Sequence, residues 1–203
     1  LCGRNFEYYS EDPYLAGEIA AAFINGVQSQ HVGTSIKHFA ANNQEYHRMS
    51  NSSEADERTL REIYFPAFET AVKKAQPYTF MCSYNQINGV HAANSYDICT
   101  KAARDEWGFA GAIMTDWTTT TASTAGVCTA AGCMRAGNDM VMPGVKADHD
   151  NIRQELKEGT LEPGALQRCI CNTVSLALQS NQYEDAVSYG SQFDGLGTYM
   201  TVE

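Results

Sequence analysis

The chain has 203 residues, 43% of them hydrophobic, and a formal net charge of −10 with only 14 lysines and arginines. This length and composition fit one globular domain with a sizeable core rather than a disordered chain. Nucleic acid and anionic lipid are disfavoured as partners because both require a positive surface. A membrane partner is disfavoured as well, since no apolar run approaches the roughly 20 residues that cross a bilayer.

Helices and strands are predicted to alternate from the start of the chain. Residues 13–30 predict a helix whose single apolar stripe, at a spacing of four, consists of Leu15, Ile19, Phe23 and Val27. Residues 32–39 predict a short buried strand, and residues 42–53 a polar loop. A second helix is predicted over residues 56–74, with its inward-facing side chains at Leu60, Ile63, Tyr64, Phe68 and Val72.

The same alternation continues in the second half of the chain. The predicted elements are a strand at 78–84 followed by an Asn88-Gly89 turn, a helix at 100–107, strands at 111–115 and 139–142, and helices at 152–157 and 166–178. Strands of this kind, without period-two alternation, are typical of a parallel sheet covered on both faces. They are too few to close an eight-stranded barrel, so they indicate an open α/β sheet or part of a barrel. Residues 186–203 lack a period and predict a linker or tail.

Seven cysteines without metal-ligand spacing favour a reducing, cytoplasmic compartment over a secreted disulfide framework. Pairing of Cys128 with Cys133, or of Cys169 or Cys171 with another cysteine, stays open. The triplet Asn51-Ser52-Ser53 is a glycosylation sequon that matters only in a secreted eukaryotic protein. No cofactor and no metal site are predicted.

Polar side chains come immediately after an apolar run at three of the predicted strand ends, as Lys37-His38, Ser83-Tyr84-Asn85 and Asp116-Trp117. The carboxyl ends of parallel strands are where functional residues gather. A carboxylate, aromatic rings, a lysine and a histidine on one rim suit a carbohydrate, which stacks on rings and binds polar groups through its hydroxyls. Each residue also has a plainer interpretation: Asp116 as a helix N-cap, His38 as a core imidazole, and Arg4 in a surface ion pair.

These residues belong to a longer series of motifs. In chain order they are Gly3-Arg4-Asn5-Phe6-Glu7 with Glu11-Asp12-Pro13, Lys37-His38-Phe39 with Asn43-Gln44-Glu45, Asp56-Glu57-Arg58-Thr59-Leu60, Met81-Cys82-Ser83-Tyr84-Asn85, Met114-Thr115-Asp116-Trp117, Gly137-Asn138-Asp139-Met140 and Met142-Pro143-Gly144. The series resembles the β-glucosidases of glycoside hydrolase family 3 over nearly all of residues 3–180. Thr115 stands where that family more often has serine.

The resemblance implies a (β/α)8 TIM-like barrel that is incomplete in this chain. Residues 1–185 would form a partial catalytic barrel, without its opening strands and without a second domain, an α/β sandwich. The implied reaction is retaining and exo-acting: it releases a terminal non-reducing β-D-glucose through a covalent glycosyl-Asp116 intermediate. Such a mechanism needs a second carboxyl about 5–5.5 Å away, which the resemblance assigns to a glutamate outside this chain. The implied partners are a β-glucoside or oligosaccharide and the missing domain of the same polypeptide.

The resemblance also implies roles for individual residues. Arg4, Lys37 and His38 would bind the hydroxyls of the sugar, while Met81, Tyr84 and Trp117 would line the pocket beside the nucleophile. Glu45, Asp56 and Arg58 are interpreted as structural, with a loop-anchoring ion pair as one role.

Several alternatives remain at this point. The enzyme can be a β-xylosidase or another family 3 glycosidase, or the barrel can be a non-catalytic carbohydrate-binding one. The N-acetylglucosaminidase branch is disfavoured, since Ala40-Ala41-Asn42-Asn43 stands where it has proline-glycine-histidine-glycine. Lys37 at a strand end would also suit a Schiff base, but no other feature points to carbonyl chemistry.

Overall fold

The computed structural model describes residues 2–122 and 128–180. The predicted tail, residues 186–203, and the domain boundary proposed before it lie outside the described residues. In the described part, the strands are β1 (Ser35–Phe39), β2 (Ser52–Ser53), β3 (Thr79–Cys82), β4 (Gln86–Ile87), β5 (Val90–His91) and β6 (Ala112–Met114).

The helices surround these strands. The α-helices are α1 (Pro13–Gln28), α2 (Glu57–Thr59), α3 (Pro66–Ala75), α4 (Thr119–Ala122), α5 (Ala130–Ala136), α6 (Lys146–Glu158) and α7 (Pro163–Gln179). Two 3-10 turns, Asn5–Glu7 and Ala92–Asn94, and two π-helical segments, Leu60–Tyr64 and Asp97–Glu106, complete the set.

The main sheet is parallel and has the order β1-β3-β6. Met140 continues it through a single parallel bridge to Met114, so the strand predicted at 139–142 is reduced to that bridge. Neighbouring strands of the main sheet therefore follow one another in chain order, without reversal. This order is typical of an α/β barrel and differs from a doubly wound sheet, in which the strand order reverses at a switch point.

A second, small sheet covers one side of the strand ends. It has the order β2-β4-β5, and β4 and β5 form a hairpin around Asn88 and Gly89, both with positive φ (50° and 82°). These angles suit the tight type I′ turn that an Asn-Gly pair favours. The sequon lies beside this sheet, where Asn51 accepts a backbone hydrogen bond from Gln86 at 2.9 Å. The loop predicted at 42–53 thus ends in paired structure.

The helix predicted over residues 56–74 is divided by Pro66. Proline has no N–H to donate to the preceding turn. The helix accordingly widens before it, where the N–H of Phe65 donates to the carbonyl of Leu60 five residues earlier at 2.8 Å. Helix α3 then begins at Pro66, a favoured residue at a first helical position. Leu60 and Val72 are buried as predicted, but Ile63 is exposed.

Helix α1 is confirmed, but its predicted apolar stripe is largely exposed: Leu15, Ile19 and Phe23 all face outward. The face that packs against α3 instead carries small residues and Ile24. Gly17 is needed at this contact, because a Cβ there would lie 2.8 Å from the Cβ of Thr70.

An aromatic cluster forms the core beneath the strand ends. The ring of Phe39, at the end of β1, lies 5.0 Å from the rings of Phe68 and Phe80 and 5.8 Å from that of Trp107, centre to centre. Offset and edge-on ring pairs of this kind add stability beyond the area they bury. The cluster therefore fixes the carboxyl ends of β1 and β3, which carry the candidate site.

All seven cysteines lie in the described residues, and none is in a disulfide. The proposed pair, Cys128 and Cys133, is not linked: both thiols contact the Oδ1 atom of Asn94, at 3.2 and 3.1 Å. Over residues 2–122 and 128–180, no helix is long and apolar enough to cross a membrane. The same residues contain no group of three or more His, Cys, Asp or Glu side chains placed to hold a metal.

Candidate active site

Asp116 lies two residues after the end of β6 and is buried. Its Oδ1 atom accepts the backbone N–H of the next residue, Trp117, at 2.7 Å. An N-cap aspartate would instead accept from the residue two or three positions further on, so the N-cap interpretation does not describe this side chain. The backbone carbonyl of Asp116 accepts the Thr119 hydroxyl at 2.9 Å. One bond thus holds the carboxylate of Asp116, and the other holds its backbone.

His38 faces the other oxygen of this carboxylate. Its Nε2 atom lies 3.4 Å from Asp116 Oδ2, and only 9% of its side chain is exposed. Burial lowers the pKa of His38, against the opposing effect of the Asp116 carboxylate, and the charges of Lys37 and Arg4 lower it further. The imidazole is therefore neutral at neutral pH and offers a polar N–H rather than a full positive charge.

Tyr84 connects the end of β3 to the segment that contains Asp116. Its hydroxyl donates to the carbonyl of Trp117 at 2.8 Å. Burial, followed by the nearby Asp116 carboxylate, raises the pKa of Tyr84 to about 12, so the hydroxyl remains a proton donor. Behind it, the Nδ1 atom of the buried His91 lies 3.1 Å from the Tyr84 carbonyl oxygen, which can only accept, so Nδ1 carries the proton.

Arg4 lies at the outer rim, where it forms two ion pairs. It contacts Glu7 at 2.5 Å and Glu45 at 3.5 Å, with 23% of its side chain exposed. The hydrogen bond from Arg4 lowers the pKa of Glu7, and the charges of Lys37 and Arg4 act in the same direction. Glu7, Lys37 and His38 line one groove, and Arg4 is paired with Glu7.

The remaining predicted residues take different positions. Lys37 is exposed and lies on β1 directly before His38. Met81 is partly buried on β3, in register with Met114 of β6, the strand that leads to Asp116. Trp117 is 57% exposed, and its carbonyl accepts the Tyr84 hydroxyl. The structure thus places Lys37, His38, Tyr84, Asp116 and Trp117 at the carboxyl ends of adjacent strands.

The segment from Met140 to Met142 is hydrogen-bonded to the residues on either side of Asp116 and Trp117. Thr115 Oγ1 accepts the Met142 N–H at 2.9 Å, and the Thr115 N–H donates to the Met140 carbonyl at 2.9 Å. The Thr118 N–H donates to the Met142 carbonyl at 2.8 Å. Threonine at position 115 supplies the same hydroxyl oxygen as the serine that is more usual there.

Sequence reasoning missed Glu7 and Arg48 and set Glu45 aside. Glu45 does anchor a loop, but it does so beside the site: it pairs with Arg48 at 3.1 Å as well as with Arg4. The guanidinium of Arg48 lies 4.8 Å from the centre of the Tyr84 ring. The i,i+3 spacing of Glu45 and Arg48 was the available signal.

Asp56 and Arg58, the other two residues interpreted as structural, lie away from the site. Asp56 caps α2 by accepting the Thr59 N–H at 2.7 Å. Arg58 pairs with Glu62 at 2.9 Å on the exposed helix surface, so neither residue contacts the candidate site.

Comparisons with known proteins agree with this geometry. Residues 2–171 match the model of the glycosyl hydrolase family 3 N-terminal domain. The chain is 49% identical to an exo-α-(1→6)-L-arabinopyranosidase of Bifidobacterium breve, covering 87% of this chain and 22% of the relative. It is 45% identical to thermostable β-glucosidase B of Acetivibrio thermocellus, covering 92% and 24%.

Solved structures give the same result. β-Glucosidase 3B of Thermotoga neapolitana, in complex with glycerol, is 43% identical with a TM-score of 0.84, covering 91% of this chain and 26% of that one. A family 3 β-glucosidase of Bifidobacterium adolescentis is 47% identical with a TM-score of 0.81, covering 89% and 26%. The chain thus spans about a quarter of the length of these relatives, and its sheet is part of an α/β barrel. From its motifs, its strand order and these matches, the chain belongs to glycosyl hydrolase family 3, within the N-terminal domain of that family.

Proposed function

We propose that this chain carries the nucleophile and part of the sugar-binding pocket of a retaining exo-β-glucosidase, with Asp116 as the nucleophile. The observation that carries the proposal is the Asp116 carboxylate, buried at the carboxyl end of β6. One of its oxygens is fixed by the Trp117 N–H, and the other faces His38. The acid/base glutamate comes from outside this chain.

The proposed reaction has two steps. In the first, an Asp116 oxygen bonds to the anomeric carbon while the bond to the aglycone oxygen breaks, and that oxygen takes a proton from the acid/base carboxyl. In the second, water attacks the same carbon, gives its proton to that carboxylate, and Asp116 leaves. The Trp117 N–H and the neutral His38 orient the carboxylate for both steps without forming a tight ion pair with it.

A carboxyl that donates a proton needs a raised pKa. Glu7, a carboxylate of this chain close to the site, has its pKa lowered by Arg4 and therefore stays ionised. Glu45 is engaged by two arginines. These two observations support an acid/base residue located beyond residues 1–203.

The proposed pocket residues bind the sugar in two ways. Arg4, Lys37 and His38 carry the N–H donors that bind sugar hydroxyls, and charged donors make the stronger hydrogen bonds. Met81, Tyr84 and Trp117 supply apolar and aromatic surface, on which a sugar ring stacks. No step requires a cofactor or a metal.

Glucose is the proposed sugar because the relatives described as β-glucosidases share both the fold and the motifs. L-Arabinopyranose is the second candidate, since a relative 49% identical is described as an exo-α-(1→6)-L-arabinopyranosidase. Hydrolysis rates on matched aryl glycosides of the two sugars, measured with the full-length protein, distinguish them.

The decisive test is mass spectrometry of the full-length protein after exposure to a 2-fluoro-β-glucoside with an activated leaving group. The fluorine slows hydrolysis of the intermediate, so the glycosyl-enzyme accumulates. We expect one added sugar on the tryptic peptide 105–135, which contains three carboxylates, Asp105, Glu106 and Asp116. Fragmentation should place the sugar on Asp116, and an Asp116→Asn variant should remain unlabelled.

Other outcomes would change the proposal. Labelling of a different carboxylate would remove Asp116 as the nucleophile. A folded full-length protein that binds glucosides but forms no adduct with any sugar tried would point to the non-catalytic carbohydrate-binding alternative.

A further inference from the structure

The loop after β1 brings one carboxylate into contact with three side chains. Glu45 Oε1 accepts from Asn42 Nδ2 at 3.1 Å and lies 3.5 Å from Arg4, while Oε2 lies 3.1 Å from Arg48. Arg4 precedes α1, and Arg48 lies within the loop itself. Glu45 therefore ties together two arginines from separate parts of the chain.

Arg48 in turn lies against Tyr84. Its guanidinium is 4.8 Å from the centre of the ring, within the range of a cation–π interaction. The hydroxyl on the far end of that ring donates to the Trp117 carbonyl. A continuous path of contacts thus runs from Arg4 through Glu45, Arg48 and Tyr84 to the nucleophile segment.

We propose that Glu45 and Arg48 are positioning residues of the active site. Glu45 orients Arg4 toward the sugar and Arg48 toward Tyr84, and Arg48 holds the Tyr84 ring so that its hydroxyl fixes the peptide after Asp116. This inference rests on the proposed function. It assigns to the loop a role in catalysis that acts through Arg4 and Tyr84.

The exposure of the pair separates this role from a purely structural one. The side chains of Glu45 and Arg48 are 26% and 36% exposed, and ion pairs open to solvent contribute little to stability. Their loss should therefore leave the melting temperature nearly unchanged. Because the pair contacts Arg4 and Tyr84, its loss should nevertheless change kcat or KM.

The test compares Glu45→Gln, Arg48→Met and Arg48→Lys in the full-length protein, with Arg58→Met as the matched control. Arg58 also pairs with a glutamate, Glu62 at 2.9 Å, but on an exposed helix surface. The number of working sites is counted by labelling with the 2-fluoro-β-glucoside. Then kcat and KM per labelled site are measured on an aryl β-glucoside.

We expect Arg48→Met to lower kcat about 10-fold, the loss that a partly shielded cation–π contact predicts, with less change in KM. Arg48→Lys should recover part of this loss because the cation remains over the ring. Glu45→Gln should lower kcat and also raise KM, since it releases Arg4 as well. Arg58→Met should leave both constants unchanged.

Three results would overturn the inference. One is a set of Glu45 and Arg48 variants whose kcat and KM match those of Arg58→Met. Another is an Arg48→Lys variant no better than Arg48→Met. In both cases the wild-type protein is labelled at Asp116, and the proposed function stands. The third is a wild-type protein that is not labelled at Asp116, in which case the proposed function fails and this inference fails with it.

Discussion

The two sides of the main sheet differ in how completely the chain covers them. On the β6 side, Ala112 and Ile113 are fully buried, and the bridge to Met140 continues the sheet. On the β1 side, the strand alternates between exposed and partly buried residues before Phe39. There a groove of about 370 Å³ lies open between α1, α3 and β1. We call these the closed side and the open side.

The candidate site draws on both sides, and the closed side carries the proposed nucleophile. Asp116 and the peptides that fix it belong to the closed side, where backbone hydrogen bonds set the geometry. Arg4, Lys37 and His38 belong to the open side, where longer side chains and ion pairs determine the geometry. Changes on the closed side should therefore have the larger effects, and the following predictions test that difference.

The largest effect is expected at Asp116. Asp116→Asn keeps the shape of the side chain but removes the nucleophilic oxygen, so kcat/KM should fall by about 10⁴–10⁶-fold, the range seen when a nucleophile is lost. Hydrolysis of an aryl β-glucoside by the full-length protein measures this. Asp150→Asn, which changes an exposed aspartate paired with Lys146, is the matched control and should keep full activity.

The next effect concerns stability on the closed side. The Asp139 side chain is fully buried and pairs with Arg104 at 2.6 Å, while it also accepts the Ile113 N–H at 2.8 Å. Arg104→Met leaves this carboxylate without its counter-charge, which should cost about 3–5 kcal/mol. Urea denaturation measures the loss. Arg58→Met, on an exposed pair, should cost no more than about 1 kcal/mol, and equal losses would contradict the prediction.

A smaller effect is expected at Tyr84, where the two sides meet. Tyr84→Phe removes the hydroxyl that donates to the Trp117 carbonyl and leaves that acceptor short of a partner, at a cost of about 1–3 kcal/mol. Expressed in kcat/KM, this is a loss of about 5- to 160-fold. Tyr96→Phe changes an exposed tyrosine and serves as the control. Unchanged kinetics in Tyr84→Phe would show that the hydroxyl does not position the nucleophile.

The closed side was the more predictable from sequence. Short apolar runs followed by polar residues predicted β3 and β6 and placed Asp116 at a strand end, because a buried parallel strand leaves a local signal. The contact that fixes Asp116 is also local, since it involves the next residue. The strand predicted at 139–142 was only a bridge, since so short a run carries no information on its pairing.

The open side shows what a single sequence cannot reveal. The stripe on α1 was recognised as apolar, but periodicity reports an apolar face and not the partner that covers it. The contacts of Glu45 and Arg48 depend on where a polar loop turns, and such a loop has no period. By contrast, the break in the second helix could have been predicted from Pro66 alone.

On the open side, His38 should make stability depend on pH. Because burial lowers its pKa below the ordinary value of 6.5, the unfolded chain binds a proton more readily than the folded one. The stability that neutral His38 contributes to the folded state is therefore fully present above pH 6.5. It is lost as the pH falls from 6.5 through the folded-state pKa. Urea denaturation at several pH values should show a smaller loss on acidification in His38→Gln than in the wild type. His149→Gln, which changes an exposed histidine, is the control, and an equal loss in His38→Gln would contradict the prediction.

The smallest effect is expected at Phe23, on the outer face of α1, and its neighbour Ile24 serves as the matched comparison. Ile24 is 2% exposed and Phe23 is 56% exposed. In the 203-residue chain, Ile24→Ala should therefore cost about 2–5 kcal/mol, and Phe23→Ala only about 0.5 kcal/mol, as measured by urea denaturation. The same two variants, measured in the full-length protein, then test whether further chain covers this face of the open side. A cost at Phe23 that rises to match Ile24 would mean that further chain covers this face, whereas an unchanged difference would mean that α1 stays exposed.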